Sequence, residues 1–247
     1  MNPVRILGLD FFQGSVAESV QAALAGGLVV APSGPGLATL TSDLAYRDAL
    51  LAADVRLLDS GLLALLYESR HHRKLTRISG LYFLEEFLQS REIRAANATL
   101  WVAPTAESAQ RTRQWLAQAH GVETPPECWH IAPRYDPARV QDEALRALIQ
   151  KQKPRYIFIG VGGGPQEKLG AWLKARLEYR PTILCTGAAI AFLTGEQARI
   201  PAWADRARLG WLARCLQDPM RFVPRYWQAR KLVALYRRWD DQMPRKE

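Results

Sequence analysis

Tyr156-Ile157-Phe158-Ile159-Gly160-Val161-Gly162-Gly163-Gly164-Pro165-Gln166-Glu167-Lys168 reads as three segments in succession. Four apolar residues make a buried strand, the glycines make a tight turn, and a helix opens on Gln166 and Glu167. Glycines let a ligand approach the backbone, and the free amides at a helix start attract phosphate oxygens. Gly160, Gly162, Gly163 and Gly164 are therefore candidate nucleotide-binding positions. The familiar phosphate-loop spellings do not fit: Lys168 follows Glu167 rather than a glycine, and Pro165 stands where a dinucleotide fingerprint needs glycine. The stretch reads as a phosphate-type loop of a third kind, weighed against a purely structural strand-to-helix turn.

Working outward, the same alternation recurs. Helical spacing covers 15–24, 41–53, 62–69, 106–120, 138–151 and 166–177. Strand patterns cover 27–31, 55–58, 99–103, 129–132, 156–159 and 181–185. Strands alternating with helices of this length predict an α/β protein, with mainly parallel sheets flanked by helices in a Rossmann-like layout. A basic helical carboxyl-terminal appendage follows. We expect an α/β domain over 1–205, with a boundary conceivable near 92–97, and a basic aromatic tail over 206–247.

The bulk numbers narrow the classes. With 247 residues, 48% hydrophobic and 23% charged, the chain is long enough for a sizeable core and is not compositionally disordered. Its three cysteines (Cys128, Cys185, Cys215) are scattered, with no CxxC pair, which argues for reduced thiols rather than a disulfide framework. The uncharged stretch 19–42 is interrupted by Gly26, Gly27, Pro32, Gly34, Pro35 and Gly36, so it is not a spanning helix. The amino terminus lacks an apolar signal core, so a cytoplasmic protein is expected.

The net charge of +9 is concentrated. Residues 206–247 hold nine arginines and two lysines against four acids, a net +7. Phe222, Tyr226, Trp227, Tyr236 and Trp239 interleave with that charge. Such a field recruits a polyanion: an anionic membrane surface, a pyrophosphate substrate or nucleic acid. Nucleic acid is disfavoured as a partner because no nucleic-acid motif accompanies the charge. The alternative for the tail is a solvated basic helix packed on its own domain.

Asp59 follows an apolar strand and precedes Ser60-Gly61, at a strand's carboxyl end, where open α/β sheets bind ligands. It is either a general base or an N-cap for the helix after it. His71 and His72 are adjacent and lack the i, i+4 spacing of a metal pair, so no metal site is expected.

Taken in order, several elements resemble one family. They are Asp59-Ser60-Gly61, Arg77-Ile78-Ser79-Gly80, the loop 160–168, Gly187-Ala188-Ala189, Ala198-Arg199-Ile200-Pro201, Leu209-Gly210-Trp211-Leu212-Ala213-Arg214, and Gln217-Asp218-Pro219 with Arg221. Together they resemble the WecG/TagA/CpsF glycosyltransferases over roughly residues 27–227. The resemblance implies transfer of an N-acetylmannosamine-like or related sugar from a UDP donor to a polyprenyl-diphosphate-linked acceptor. It implies a metal-independent reaction with no cofactor, peripheral to the inner face of the cell membrane, in surface polysaccharide, exopolysaccharide or wall polymer assembly. It further implies that Asp59 is the catalytic base. Gln166, Glu167 and Gly187 join the nucleotide-binding set, and Arg199, Arg214, Arg221 and Arg225 meet the lipid diphosphate. A homo-oligomer is left open.

The chain departs from the family pattern at five positions: Ala31 and Ser33 stand where the family has a Thr-x-Asn element, Tyr82 and Ala191 where it has aspartates, and Gly210 where it has a glutamate before Trp211. A catalytically weakened homologue that only binds nucleotide sugar or lipid carrier is the alternative these positions motivate.

Overall fold

The computed structural model describes residues 2–95, 98–197, 212, 215–216 and 218–246, without the side chains of 221, 222 and 225. Its centre is a six-stranded sheet in the order β4-β3-β8-β7-β5-β6, with every pair parallel. The strands are β3 (Gly27–Val30), β4 (Val55–Arg56), β5 (Thr99–Ala103), β6 (Trp129–Ile131), β7 (Tyr156–Ile159) and β8 (Thr182–Cys185). A separate antiparallel hairpin, β1 (Val4–Ile6) with β2 (Leu9–Phe11), precedes them. The expected α/β class is what the chain adopts.

Strands buried on both faces need apolar residues at every position, and β3, β5, β7 and β8 are buried throughout. Alternate residues then serve different layers. Leu28, Val30, Ile157, Ile159 and Ile183 face one core, where α3 (Leu44–Ala52), α4 (Gly61–His71), α7 (Glu143–Gln152) and α8 (Pro165–Lys174) pack. Val29, Tyr156, Phe158 and Leu184 face the other, covered by α1 (Val16–Leu24), α5 (Gly80–Leu88), α6 (Ala106–His120) and α9 (Ala189–Leu193). Helices α3, α7 and α8, in connections running toward β4, lie on the first face and α6, in the connection to β6, on the second, as right-handed crossovers require; the long β4-to-β5 connection carries α4 on the first face and α5 on the second.

Several element bounds differ from the sequence expectation, and two of the differences have a local cause. The helix expected over 138–151 begins at Glu143, because Asp142 is its N-cap and accepts from the Leu145 amide at 2.8 Å. The strand expected over 55–58 pairs only at Val55 and Arg56, and the Leu57 amide closes its end by donating to Val30 O at 2.8 Å. The short helix α2 (Gly34–Leu37) lies in the connection after β3.

The last helix, α10 (Pro219–Trp239), is divided in what it faces. Ala229, Leu232, Leu235 and Tyr236 are buried against the body, the last three within the core on the α3 and α8 side. Leu232 is fully buried, whereas Met220 is 89% and Trp227 63% exposed, and Val223 is also exposed. At about 100° per residue the two sets point to opposite sides of one helix. The helix end is anchored as well: the Leu7 amide donates to Asp240 O (2.7 Å) and the Gly8 amide to Asp241 O (2.8 Å). No helix among the described residues is long and apolar enough to cross a membrane.

Candidate active site

The connection leaving β7 runs to β8 on one side, while that leaving β5 runs to β6 on the other. Their carboxyl ends therefore part, leaving the crevice that open α/β sheets use for ligands. The glycine loop sits at this point. The Gly160 amide still donates to Val102 O at 2.9 Å, extending the β5–β7 pairing by one residue. Gly162 (φ 93°) and Gly164 (φ 96°) then turn through the left-handed region, which an L side chain resists. A Cβ on either would meet nothing within 4 Å, so backbone conformation and not crowding demands glycine at both. Helix α8 lies flush on the sheet because Gly170 has no side chain; a Cβ there would be 2.7 Å from Leu28 Cδ1.

Amide accounting defines what the loop can offer. Besides Gly160, the Gly164 amide is used, donating to Glu167 Oε2 at 2.6 Å. The amides of residues 161–163 donate to no group among the described residues. Gln166 and Glu167 are both buried, at 0% and 1% exposure. The Gln166 side-chain amide donates to Glu167 Oε1 (3.1 Å), and Gln166 O accepts from Cys185 Sγ (3.2 Å). Lys168 is committed elsewhere, to Asp43 Oδ2 (2.7 Å) and Pro137 O (2.8 Å).

Asp59 lies just beyond β4, at the same edge of the sheet. The helix after it is capped not by Asp59 but by Ser60, whose Oγ accepts from the Leu63 amide at 3.2 Å. The Asp59 side chain is thereby left to reach α5, accepting the Gly80 amide at Oδ1 (3.2 Å). Arg77 braces it from the other side: Nε donates to Asp59 O at 2.8 Å and Nη2 lies 3.8 Å from Oδ1. The carboxylate is still 29% exposed, so it is oriented and reachable. Arg77 belongs to the Arg77-Ile78-Ser79-Gly80 motif, and its separation of 18 residues from Asp59 hides the contact from the sequence.

Between Asp59 and the glycine loop stand the ends of β3 and β8. Three strand spacings separate β4 from β7, which is about 14 Å along the carboxyl edge. The rim of that span includes Ala31, Thr186 and Gly187. Gly80 presses on it so closely that a Cβ would lie 2.9 Å from Thr186 O and 3.1 Å from Ala31 Cβ. Ala31 is buried, and the Ser33 hydroxyl is occupied as the cap of α2, accepting from the Gly36 amide at 3.4 Å. Tyr82 is exposed on α5, and Ala191 lies in α9. Helix α10 meets this region from below the cap: a Cβ on Gly34 would contact Ser60 Oγ at 3.1 Å and Leu232 Cδ2 at 3.8 Å.

The tail arginines are placed only in part. Arg199 and Arg214 lie outside the described residues, and Arg221 and Arg225 are described only as backbone of α10. His71 is engaged structurally, with Nε2 2.9 Å from Asp240 Oδ1 and its ring stacked on Tyr67. No cluster of three or more His, Cys, Asp or Glu residues is gathered for a metal among the described residues. A hollow of about 940 Å³ opens between Arg94, Thr99, Arg113 and Cys128, at the amino end of β5 and away from Asp59.

A parallel α/β sheet carrying a glycine loop with open amides and a braced carboxylate on its carboxyl edge has the layout in which open α/β sheets bind ligands. Comparison with protein families makes this specific. The chain belongs to the glycosyl transferase WecG/TagA/CpsF family, whose model matches residues 4–246. No match was found among curated proteins.

Proposed function

We propose that the protein transfers a sugar from a UDP donor to a polyprenyl-diphosphate-linked acceptor, with inversion. The observation that carries this is the shared edge: Asp59, held by Gly80 and Arg77, and the open amides of residues 161–163 both lie at the carboxyl edge of one parallel sheet. The diphosphate is received by those amides and the sugar lies toward Asp59. The acceptor hydroxyl attacks the anomeric carbon while Asp59 takes its proton. The bond from that carbon to the phosphate oxygen breaks, and the electron pair leaves with UDP. Loop amides, with the arginines of the tail, stabilise the charge that develops on the leaving group.

The exposed apolar face of α10 supports a peripheral membrane location. Met220, Val223 and Trp227 share that face, and the Arg230 guanidinium lies 4.1 Å over the Trp227 ring. Aromatic and aliphatic groups beside arginines suit the interface of an anionic leaflet, where the lipid-linked acceptor resides. A second reading, a homologue that binds without catalysing, is favoured by the depleted rim, where Ala31 is buried and the Ser33 hydroxyl is spent on a cap. An Asp59→Ala variant that leaves biological output intact selects it.

Calorimetry with UDP, using ADP and GDP as controls, tests the main reading on the wild type and on Gly163→Val. Selective UDP binding, weakened at least about tenfold by the valine, is expected. Absence of nucleotide binding with lipid-linked acceptor present would overturn it.

A further inference from the structure

Glu167 occupies the third position of α8, and its carboxylate reaches back to the amide of the N-cap residue, Gly164. This is one half of a capping box; glycine has no side chain to supply the other half. The loop is therefore pinned at two amides, Gly160 to Val102 O and Gly164 to Glu167 Oε2, with residues 161–163 stretched between them. Behind Glu167, the Gln166 side chain holds Oε1, and the Cys185 thiol holds the Gln166 backbone carbonyl. Burial and the nearby Glu167 charge push that thiol's pKa well up, so it stays protonated as a donor.

A residue 1% exposed and already bonded on both oxygens is poorly placed to touch a nucleotide. We infer that Glu167 is a positioning residue: it withdraws the Gly164 amide from the ligand and so determines which amides of the glycine loop face the diphosphate. The inference rests on the proposed reading that this loop receives a nucleoside diphosphate. It reassigns Glu167 from direct contact to support, with Gln166 as its brace.

Two substitutions separate the roles. Glu167→Gln keeps an oxygen that accepts from Gly164 and removes the charge, whereas Glu167→Ala removes the acceptor. The expected result is UDP affinity within about threefold of wild type for glutamine and about tenfold weaker for alanine. In turnover assays the alanine variant should raise the donor KM more than it lowers kcat. If glutamine is as damaging as alanine while both remain folded, the charge itself meets the ligand and the inference falls. Should Glu167→Ala not fold, Gly164→Ala disturbs the same amide through its φ of 96° without a clash. Wild-type UDP affinity in that variant would overturn the inference.

Amide exchange of the ligand-free protein gives a separate reading. Exchange at Gly164 should quicken about tenfold or more in Glu167→Ala and remain slow in Glu167→Gln. Unchanged exchange in the alanine variant would refute the pinning. Exchange as expected but no UDP binding by any form would leave the pinning standing and overturn the functional reading beneath it.

Discussion

Replacing Asp59 with asparagine separates chemistry from architecture. The isosteric side chain retains Oδ1, so it still accepts the Gly80 amide now at 3.2 Å, and the Arg77 bond to the Asp59 backbone carbonyl is untouched. What is lost is a negative charge 3.8 Å from a guanidinium at a partly exposed site, worth less than about 1 kcal/mol. Catalysis should suffer far more, because an amide takes no proton from the acceptor. Loss of a general base lowers kcat about 10²- to 10⁴-fold, an increase of about 2.7–5.4 kcal/mol in the barrier. UDP release in the presence of lipid-linked acceptor measures the first quantity, and thermal unfolding the second. Asp59→Ala should show the same rate loss and about 1 kcal/mol more destabilisation, since it strands the Gly80 amide. A variant Asp59→Asn that turns over within about threefold of wild type would refute the assignment of Asp59 as base. So would a rate loss matched by an equal loss of folded protein.

Four further outcomes are expected. Leu232→Ala removes a fully buried side chain joining α10 to α2 and should cost about 2–5 kcal/mol in denaturant unfolding, with faster proteolysis within α10. Gly80→Ala forces a Cβ against Thr186 O and should cost about 1–3 kcal/mol together with a drop in kcat, read by unfolding and UDP release. The double change Met220→Glu, Trp227→Glu should abolish sedimentation with anionic vesicles while shifting stability by no more than about 0.5 kcal/mol; retained sedimentation would sink the membrane assignment of that face. Burial alone would push the Asp54 carboxyl up, but bonds from Lys174 and the Leu28 amide, with the Lys174 and Arg180 charges, hold it below its ordinary 3.8. Its folded pKa is thus the lower one, so its stabilisation is complete above the unfolded value and lost as pH falls through the folded value. Urea unfolding at about pH 5 and pH 3 should therefore show a smaller pH dependence for Asp54→Asn than for wild type.

The α/β class was legible because buried parallel strands must be apolar at every position and the helices between them need a 3.6-residue period. The runs 100–103, 156–159 and 183–185 meet the first condition, and the amphipathic 106–120 meets the second. The loop after 159 was legible as a ligand candidate for an equally local reason, the density of glycine before a helix start. Its amide inventory was not, because Val102, which takes the Gly160 amide, lies 58 positions upstream. Asp59 was recognisable as a strand-end carboxylate, but its choice between cap and base was not. Only the fold shows Ser60 making the cap and Gly80, 21 residues away, taking the carboxylate.

Composition and local pattern thus determined the layer class, the strand-end carboxylate, the glycine turn and the basic aromatic tail, since each depends on neighbours within a few residues. Strand order was decided in three dimensions. The parallel direction of every strand brings Asp59 and the glycine loop to one edge, and the order β4-β3-β8-β7 sets their strands about 14 Å apart, although more than a hundred residues separate them in the chain. The division of α10 was decided there too. Its apolar residues read as one mixed surface in sequence, but packing of Ala229, Leu232 and Tyr236 onto the body consumes one face and leaves Met220, Val223 and Trp227 on the other. Packing of α8 likewise buries Gln166 and Glu167, because a helix pressed flat on a sheet at Gly170 hides whatever its first turn directs inward.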